Sequence, residues 1–106
     1  MSLPYLYLAD LATEVEIPKD GILSKTLHGD DHVKVVIFGF DAGQELSEHT
    51  ASMPALLFFA SGEADLTLGS DAKEARPGTW VHMQPNLTHS VRARTPVVML
   101  LVLLKA

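Results

Sequence analysis

The chain has 106 residues, of which 47% are hydrophobic, and a formal net charge of −5. This length and composition are typical of one globular domain with a single core, not of a disordered chain. The acidic balance argues against nucleic-acid binding and against attachment to anionic lipid. With no cysteine, disulfides, thiolate metal sites and cysteine nucleophiles are excluded, and a cytoplasmic protein is expected.

In chain order, the first 20 residues are predicted to form a peripheral segment, a strand or a turn of helix, laid on a barrel that spans residues 21–106. No basic region followed by an apolar stretch marks this start as a signal peptide. The apolar run from Val97 to Leu104 is too short to cross a bilayer. One domain that does not bind membranes is therefore expected.

Turn signals recur along the rest of the chain about every 8–12 residues, which is typical of an all-β sandwich or barrel. They include Gly29-Asp30-Asp31, Asp41-Ala42-Gly43 and Pro85-Asn86. Between them lie short runs rich in β-branched and aromatic residues. The pattern predicts an all-β fold.

Two runs are apolar on both of their predicted faces, namely Ala55 to Ala60 and Val97 to Leu104. A strand of this kind needs a second covering layer, because monomers rarely expose large apolar patches. A homodimer interface is one candidate for that layer. The N-terminal segment is the other.

Two separate blocks carry the histidines His49 and His89, and their spacing resembles the paired motifs of small single-domain cupins. The first motif, G-x5-H-x-H-x3,4-E-x6-G, is matched by Gly43, His49 and Gly62. The second, G-x5-P-x-G-x2-H-x3-N, is matched by residues of the second block: Gly78, Asn86 and His89. The resemblance implies a jelly-roll, or double-stranded β-helix, barrel.

In the second block, Gln84 stands in place of the first proline of the motif, and Asn86 stands in place of the inner glycine. Asparagine is the best substitute for glycine where a turn needs a left-handed backbone. We therefore expect Asn86 to keep the turn that the motif requires.

In cupins the motif histidines and acid usually hold one metal ion, so the resemblance implies a metal at His49 and His89. The other two ligand positions hold Ala51 and Ala55, which cannot coordinate. Because catalytic metal sites usually have three protein ligands, two imidazoles alone predict at most an incomplete site for one divalent transition metal of unknown identity. A pair of pocket histidines without metal is equally consistent with the sequence.

His82 is a further candidate ligand, with a packed or surface histidine as the alternative. It shares a predicted strand face with Trp80 and Gln84, and the pattern alone does not show which face looks inward. His28 and His32 flank two aspartates, and they are interpreted as parts of a polar hairpin turn and not as a metal cluster.

Three functions remain open from the sequence, which does not decide whether the protein is an enzyme. The first is binding of a small molecule in a barrel pocket, lined in this interpretation by Met53, Leu57, Phe59, Trp80 and Gln84 beside the two histidines. The second is a mononuclear-metal oxygenase, isomerase or lyase that uses His49 and His89. The third is a non-catalytic structural or accessory dimer.

Overall fold

The computed structural model describes residues 3–105, so Met1 and Ser2 of the predicted N-terminal segment, and Ala106, lie outside the described part. A 3₁₀ turn spans Leu11–Thr13, where the Asp10 side chain accepts a hydrogen bond from the backbone N–H of Ala12. The strands within the described residues are β1 Ile22–Gly29, β2 Val33–Phe40, β3 Glu45–His49, β4 Ala55–Ser61, β5 Ala64–Leu68, β6 Asp71–Ala75, β7 Trp80–Met83, β8 His89–Ala93 and β9 Val97–Leu104.

The strands form two antiparallel sheets, as the recurring turns predict. The major sheet has the order β1-β2-β9-β4-β7, and the minor sheet has the order β3-β8-β5-β6. Neighbours in each sheet are often distant in sequence, which is characteristic of a jelly-roll barrel. The predicted all-β fold is confirmed.

The main core lies between the inner faces of the two sheets. Strand β4 alternates so that Ala55, Leu57 and Phe59 are buried there while the residues between them are only partly buried. Leu66 and Val91 reach the same core from the minor sheet. This alternation places every second residue of a strand in the core.

A second, smaller core lies on the outer face of the major sheet. Val15 packs there against Ile37 and Val98, with Leu11 and Ile17 beside them. Part of the apolar outer surface of β9 is thus covered by the N-terminal segment, one of the two layers that the sequence left open. No helix within residues 3–105 is long and apolar enough to cross a membrane.

Gly39 makes this close packing possible. A Cβ atom on it would lie 2.8 Å from the carbonyl oxygen of Glu16 and 3.3 Å from Cγ1 of Ile17. The N-terminal segment therefore crosses β2 directly over a position where only hydrogen fits.

The turns of the two sequence blocks have the backbone that their residues predict. Asn86 has φ 68°, so it takes the left-handed conformation expected of the residue that replaces the motif glycine. At Gly62, with φ 82°, a Cβ atom would clash with the carbonyl oxygen of Pro96. Gly62 lies in the turn between β4 and β5, and Asn86 lies in the loop between β7 and β8.

Candidate functional site

His49 and His89 lie directly opposite each other on β3 and β8 of the minor sheet. Their ring centroids are 4.2 Å apart, and the ring planes are inclined by 58°. Residues forty positions apart are thus brought into ring contact. The structure brings together the two histidines that the sequence singles out.

A β-bulge creates this pairing. Leu46 pairs with Val91 and His49 pairs with His89, so three steps on β3 oppose two steps on β8. Since successive side chains of a regular strand alternate between faces, Leu46 and His49 would otherwise point to opposite sides. The extra residue of the bulge returns His49 to the inner face.

The same local hydrogen bond orients both rings. Nδ1 of His49 lies 2.7 Å from the carbonyl oxygen of Ser47, and Nδ1 of His89 lies 2.8 Å from that of Leu87. A carbonyl oxygen can only accept, so each Nδ1 must carry the proton and donate it. In the neutral rings, both Nε2 atoms therefore have a free lone pair.

The pair borders an apolar cavity of about 40 Å³ between the two sheets. Besides the histidines, its lining is formed by Phe38, Leu46, Leu57, Val91, Met99 and Leu101. His89 is only 6% exposed, whereas His49 is open to solvent. A ligand would therefore reach the pair from the side of His49.

The observed lining differs from the predicted pocket at four of five positions, and only Leu57 lines the cavity. Phe59 is fully buried elsewhere in the core, and Met53 lies partly buried in the loop before β4. Trp80 is 61% exposed, and Gln84 is exposed just beyond β7. For Trp80 and Gln84 the physical reason is the alternation along β7, whose residues Val81 and Met83 take the inner face.

His82 lies on the same outer face as Trp80, and the two rings stack with centroids 6.4 Å apart. Its neighbour on β4 is Leu56, whose side chain likewise points away from the core. The major sheet thus separates His82 from the histidine pair. It cannot complete a metal site there.

Five of the lining residues were not found by sequence reasoning: Phe38, Leu46, Val91, Met99 and Leu101. Phe38, Met99 and Leu101 come from the opposing major sheet, so their proximity to the histidines depends on how the sheets stack. Alternation on β9 indicates that Met99 and Leu101 share a face, but it does not indicate which site that face borders.

The two alanines at ligand positions of the motifs add no donor. Ala55 is buried at the start of β4, and the carbonyl of Ala51 accepts a hydrogen bond from the N–H of Asn86. Within residues 3–105, no group of three or more His, Cys, Asp or Glu side chains is placed to hold a metal ion. The donor set is therefore limited to two imidazoles.

The His28–His32 region forms the turn between β1 and β2. Nε2 of His28 lies 2.8 Å from Oδ2 of Asp30, and Oδ1 of Asp30 accepts from the N–H groups of His32 and Val33. The bond to His28, followed by the two backbone bonds, holds the pKa of Asp30 well below its ordinary value. This arrangement organises a hairpin turn.

Comparisons with known proteins agree with this architecture. No protein-family model matches the sequence, and no protein of curated function is similar enough to count as a match. Among solved structures, a protein of unknown function from Streptococcus pyogenes is 29% identical, with a TM-score of 0.85, covering 98% of this chain and 91% of that one. A cupin superfamily protein from Desulfitobacterium hafniense is 24% identical, with a TM-score of 0.87, covering 98% and 95%.

A third similar structure is a cupin 2 conserved barrel domain protein from Leptotrichia buccalis. It is 29% identical to this chain, with a TM-score of 0.82, and the match covers 89% of this chain but 46% of the other. These similarities agree with the paired motifs and with the two-sheet topology. The chain has the fold of a small cupin.

Proposed function

We propose that this protein binds a small molecule at the histidine pair, using the two Nε2 atoms as the polar end of an otherwise apolar pocket. The observation that carries the proposal is the matched orientation of His49 and His89, each hydrogen-bonded through Nδ1 to the backbone carbonyl two residues before it. Fixed rings of this kind are ready to accept hydrogen bonds without reorganisation. Ligand sites are commonly apolar with a few placed polar groups.

The size of the cavity restricts what can enter it. A water molecule needs roughly 10–15 Å³ of such space, so a cavity of about 40 Å³ takes only a few heavy atoms. Pockets for drug-sized ligands measure about 300–1,000 Å³. The ligand is therefore either very small or inserts one end, leaving its remainder at the open side near His49.

The lining also restricts the chemistry of the ligand. The two neutral imidazoles offer hydrogen-bond acceptors, and all the other side chains that line the cavity are apolar. A hydroxyl or amine donor on an apolar group fits this environment, because it satisfies the nitrogens while its carbon atoms contact Leu57 and Met99. An anion is disfavoured, since nothing in the lining donates to it.

A divalent transition metal is the second candidate ligand, supported by the same two Nδ1 bonds. Metal-bound histidines almost always donate their other ring N–H to such a partner. However, two imidazoles fall short of the three protein ligands usual in catalytic sites. The residues present therefore do not fit a catalytic metal centre, and only weak metal binding is expected.

Two measurements test the proposal. Long-range ¹H–¹⁵N NMR should show that both rings carry their proton on Nδ1, as the carbonyl bonds require. A screen of small alcohols, phenols and amines by NMR should then find ligands that perturb His49 and His89, and His89→Ala should abolish their binding. His32→Ala, which removes an exposed turn histidine, is the matched control.

Calorimetric titration with Zn²⁺, Ni²⁺ and Mn²⁺ separates the two candidate ligands. Tight binding that is lost in His49→Ala would favour the metal site and contradict the small-molecule proposal. If Nε2 instead carried the proton on either ring, or if no donor-bearing compound shifted the histidine signals, the proposal would fail.

A further inference from the structure

The outer face of the minor sheet carries an open polar groove, separate from the histidine pair. Val91 of β8 points into the core, so its neighbours Ser90 and Arg92 point outward, as Asp65 and Thr67 do on β5. The groove that these side chains line has a volume of about 450 Å³. This volume lies within the range of about 300–1,000 Å³ that is typical of ligand pockets. The minor sheet itself separates the groove from the cavity between the sheets.

The floor of the groove is built from small side chains. Thr67 pairs with Ser90 on one side and with Ala72 on the other, so the three residues form a row across the sheet. The hydroxyl groups of Thr67 and Ser90 are hydrogen-bonded to each other. One of them donates its proton in this bond, so the other keeps a proton to donate, and both oxygens can still accept. The floor therefore offers polar contacts beside the methyl groups of Ala72 and Thr67.

Charged side chains form the rim of the groove, in the next row across the sheet. The strand register aligns four residues in the order Glu45, Arg92, Asp65 and Glu74. Within residues 3–105, Arg92 forms no ion pair, although both neighbouring strands carry a carboxylate beside it. Its planar guanidinium therefore keeps its donors available for an incoming ligand.

Arg94 holds the acidic side of the rim in place. Its Nε lies 3.3 Å from Oδ1 of Asp65, and its Nη2 lies 3.7 Å from Oε2 of Glu74. Each carboxylate is contacted through one of its two oxygens, so the other oxygen remains free to accept a hydrogen bond. The two acceptors are thus positioned before a ligand arrives.

The balance of charges in the groove restricts the ligand. Three carboxylates in the lining are matched by two basic side chains in the lining and by one beside it: Glu45, Asp65 and Glu74 against Lys73, Arg92 and Arg94. An anion or a cation therefore gains little net attraction here. An apolar ligand is disfavoured because it would remove water from charged groups without replacing their hydrogen bonds. A neutral molecule with several hydroxyl groups fits, because each hydroxyl can both donate and accept.

We propose that this groove binds a neutral sugar. The ring hydroxyls donate to Asp65 and Glu74 and accept from Arg92. One C–H face of the ring contacts Ala72 and the methyl group of Thr67. This site is independent of the function proposed for the histidine pair, since the two lie on opposite faces of the minor sheet.

Titration of the ¹⁵N-labelled chain with D-glucose, D-galactose and D-mannose, followed by NMR, tests the proposal. At least one of these sugars should shift the amide signals of β5, β6 and β8. Glucuronate and glucosamine, which carry a negative and a positive charge, should bind more weakly. A tetrasaccharide of the sugar that binds then distinguishes two sources of the same chemistry: tighter binding than the monosaccharide indicates a polysaccharide chain, and equal binding indicates a free sugar.

Ala72→Leu fills the floor of the groove with a larger side chain and should abolish these shifts. Because Ala72 is exposed, the variant should fold, as checked by circular dichroism. Ala9→Leu makes the same change at an exposed position of the N-terminal segment and should bind as the native chain does. His89→Ala should also leave sugar binding unchanged, which separates this site from the histidine pair.

Three results would overturn the proposal. The first is the absence of amide shifts in β5, β6 and β8 with every neutral sugar. The second is tighter binding of glucuronate or glucosamine than of the neutral sugars. The third is a folded Ala72→Leu variant that binds the sugar as the native chain does.

Discussion

Gly39→Ala tests whether the N-terminal segment is an integral layer of the fold. The new methyl group would lie 2.8 Å from the Glu16 carbonyl oxygen and 3.3 Å from Ile17, both closer than normal van der Waals contact. Because Gly39 is buried near the end of β2 and pairs with Leu23 on β1 and Val98 on β9, the strand cannot move away without disturbing both cores. The segment must therefore lift, which loosens Val15 from its pocket.

The magnitude follows from two opposing effects. Overpacking a core by one methyl group costs about 1–3 kcal/mol, while replacing glycine by alanine within a strand returns about 0.5–1 kcal/mol. The expected net loss is about 1–2 kcal/mol of unfolding free energy. For a domain of this size, that lowers Tm by roughly 4–16 °C.

The assay is thermal and urea unfolding followed by circular dichroism, with Gly29→Ala as the matched control. Gly29 also lies in a strand, but nothing is within 4 Å of the position where its Cβ would stand. The control should therefore change Tm little. A Gly39→Ala protein as stable as the native chain would refute the idea that residues 16–17 pack directly on β2.

Three further predictions concern the site and the turns. Leu57→Ala should enlarge the cavity beside the histidine pair and lower the free energy of unfolding, measured in urea, by about 2–5 kcal/mol. The enlarged cavity should also admit larger donor-bearing ligands in the NMR screen. If the variant bound ligands of the same size as the native chain does, the cavity would not be the binding site. Ala51→His supplies the histidine that the cupin motif places at this position, and with it a third protein ligand for a metal ion. Calorimetry should therefore show that the variant binds Ni²⁺ or Zn²⁺ at least about tenfold more tightly than the native chain does. Asp30→Ala removes the carboxylate bonded to His28 and two backbone N–H groups. Since folding lowers the pKa of Asp30, the stabilisation that its carboxylate gives the fold is complete above the ordinary pKa of 3.8 and declines below it. The difference in unfolding free energy between the variant and the native chain should therefore narrow on acidification. A difference that does not change with pH would contradict this.

Much of the fold can be predicted from local sequence, because turns and strand alternation depend on neighbouring residues. The sequence predicts turns at Gly43 and at Asn86, and both residues adopt positive φ. The alternation of β4 likewise predicts which of its residues share a face. These features need no information about distant segments.

Only part of the candidate site can be predicted from local sequence, because its contacts join residues that are far apart in the chain. His49 and His89 stand out because two motif-like blocks carry them, but their ring contact depends on the bulge in β3, which the sequence does not reveal. The sequence does not show which face of β7 points into the core, since bulky side chains lie on both faces: Trp80 and His82 on one, Val81 and Met83 on the other. The register with β4 places Val81 and Met83 on the inner face, because they pair with Leu57 and Ala55, which belong to the core.

Residue type and short-range order alone predict the strands, the turns, the cupin-like spacing and the two histidines. The separation of the two sheets, and with it the small cavity beside His89, is set by tertiary packing. Tertiary packing also places the N-terminal segment over the part of the outer face around Ile37, and it leaves Trp80, on the same face, exposed. Such outcomes depend on contacts between segments far apart in the chain, where the fit of whole surfaces outweighs local preference.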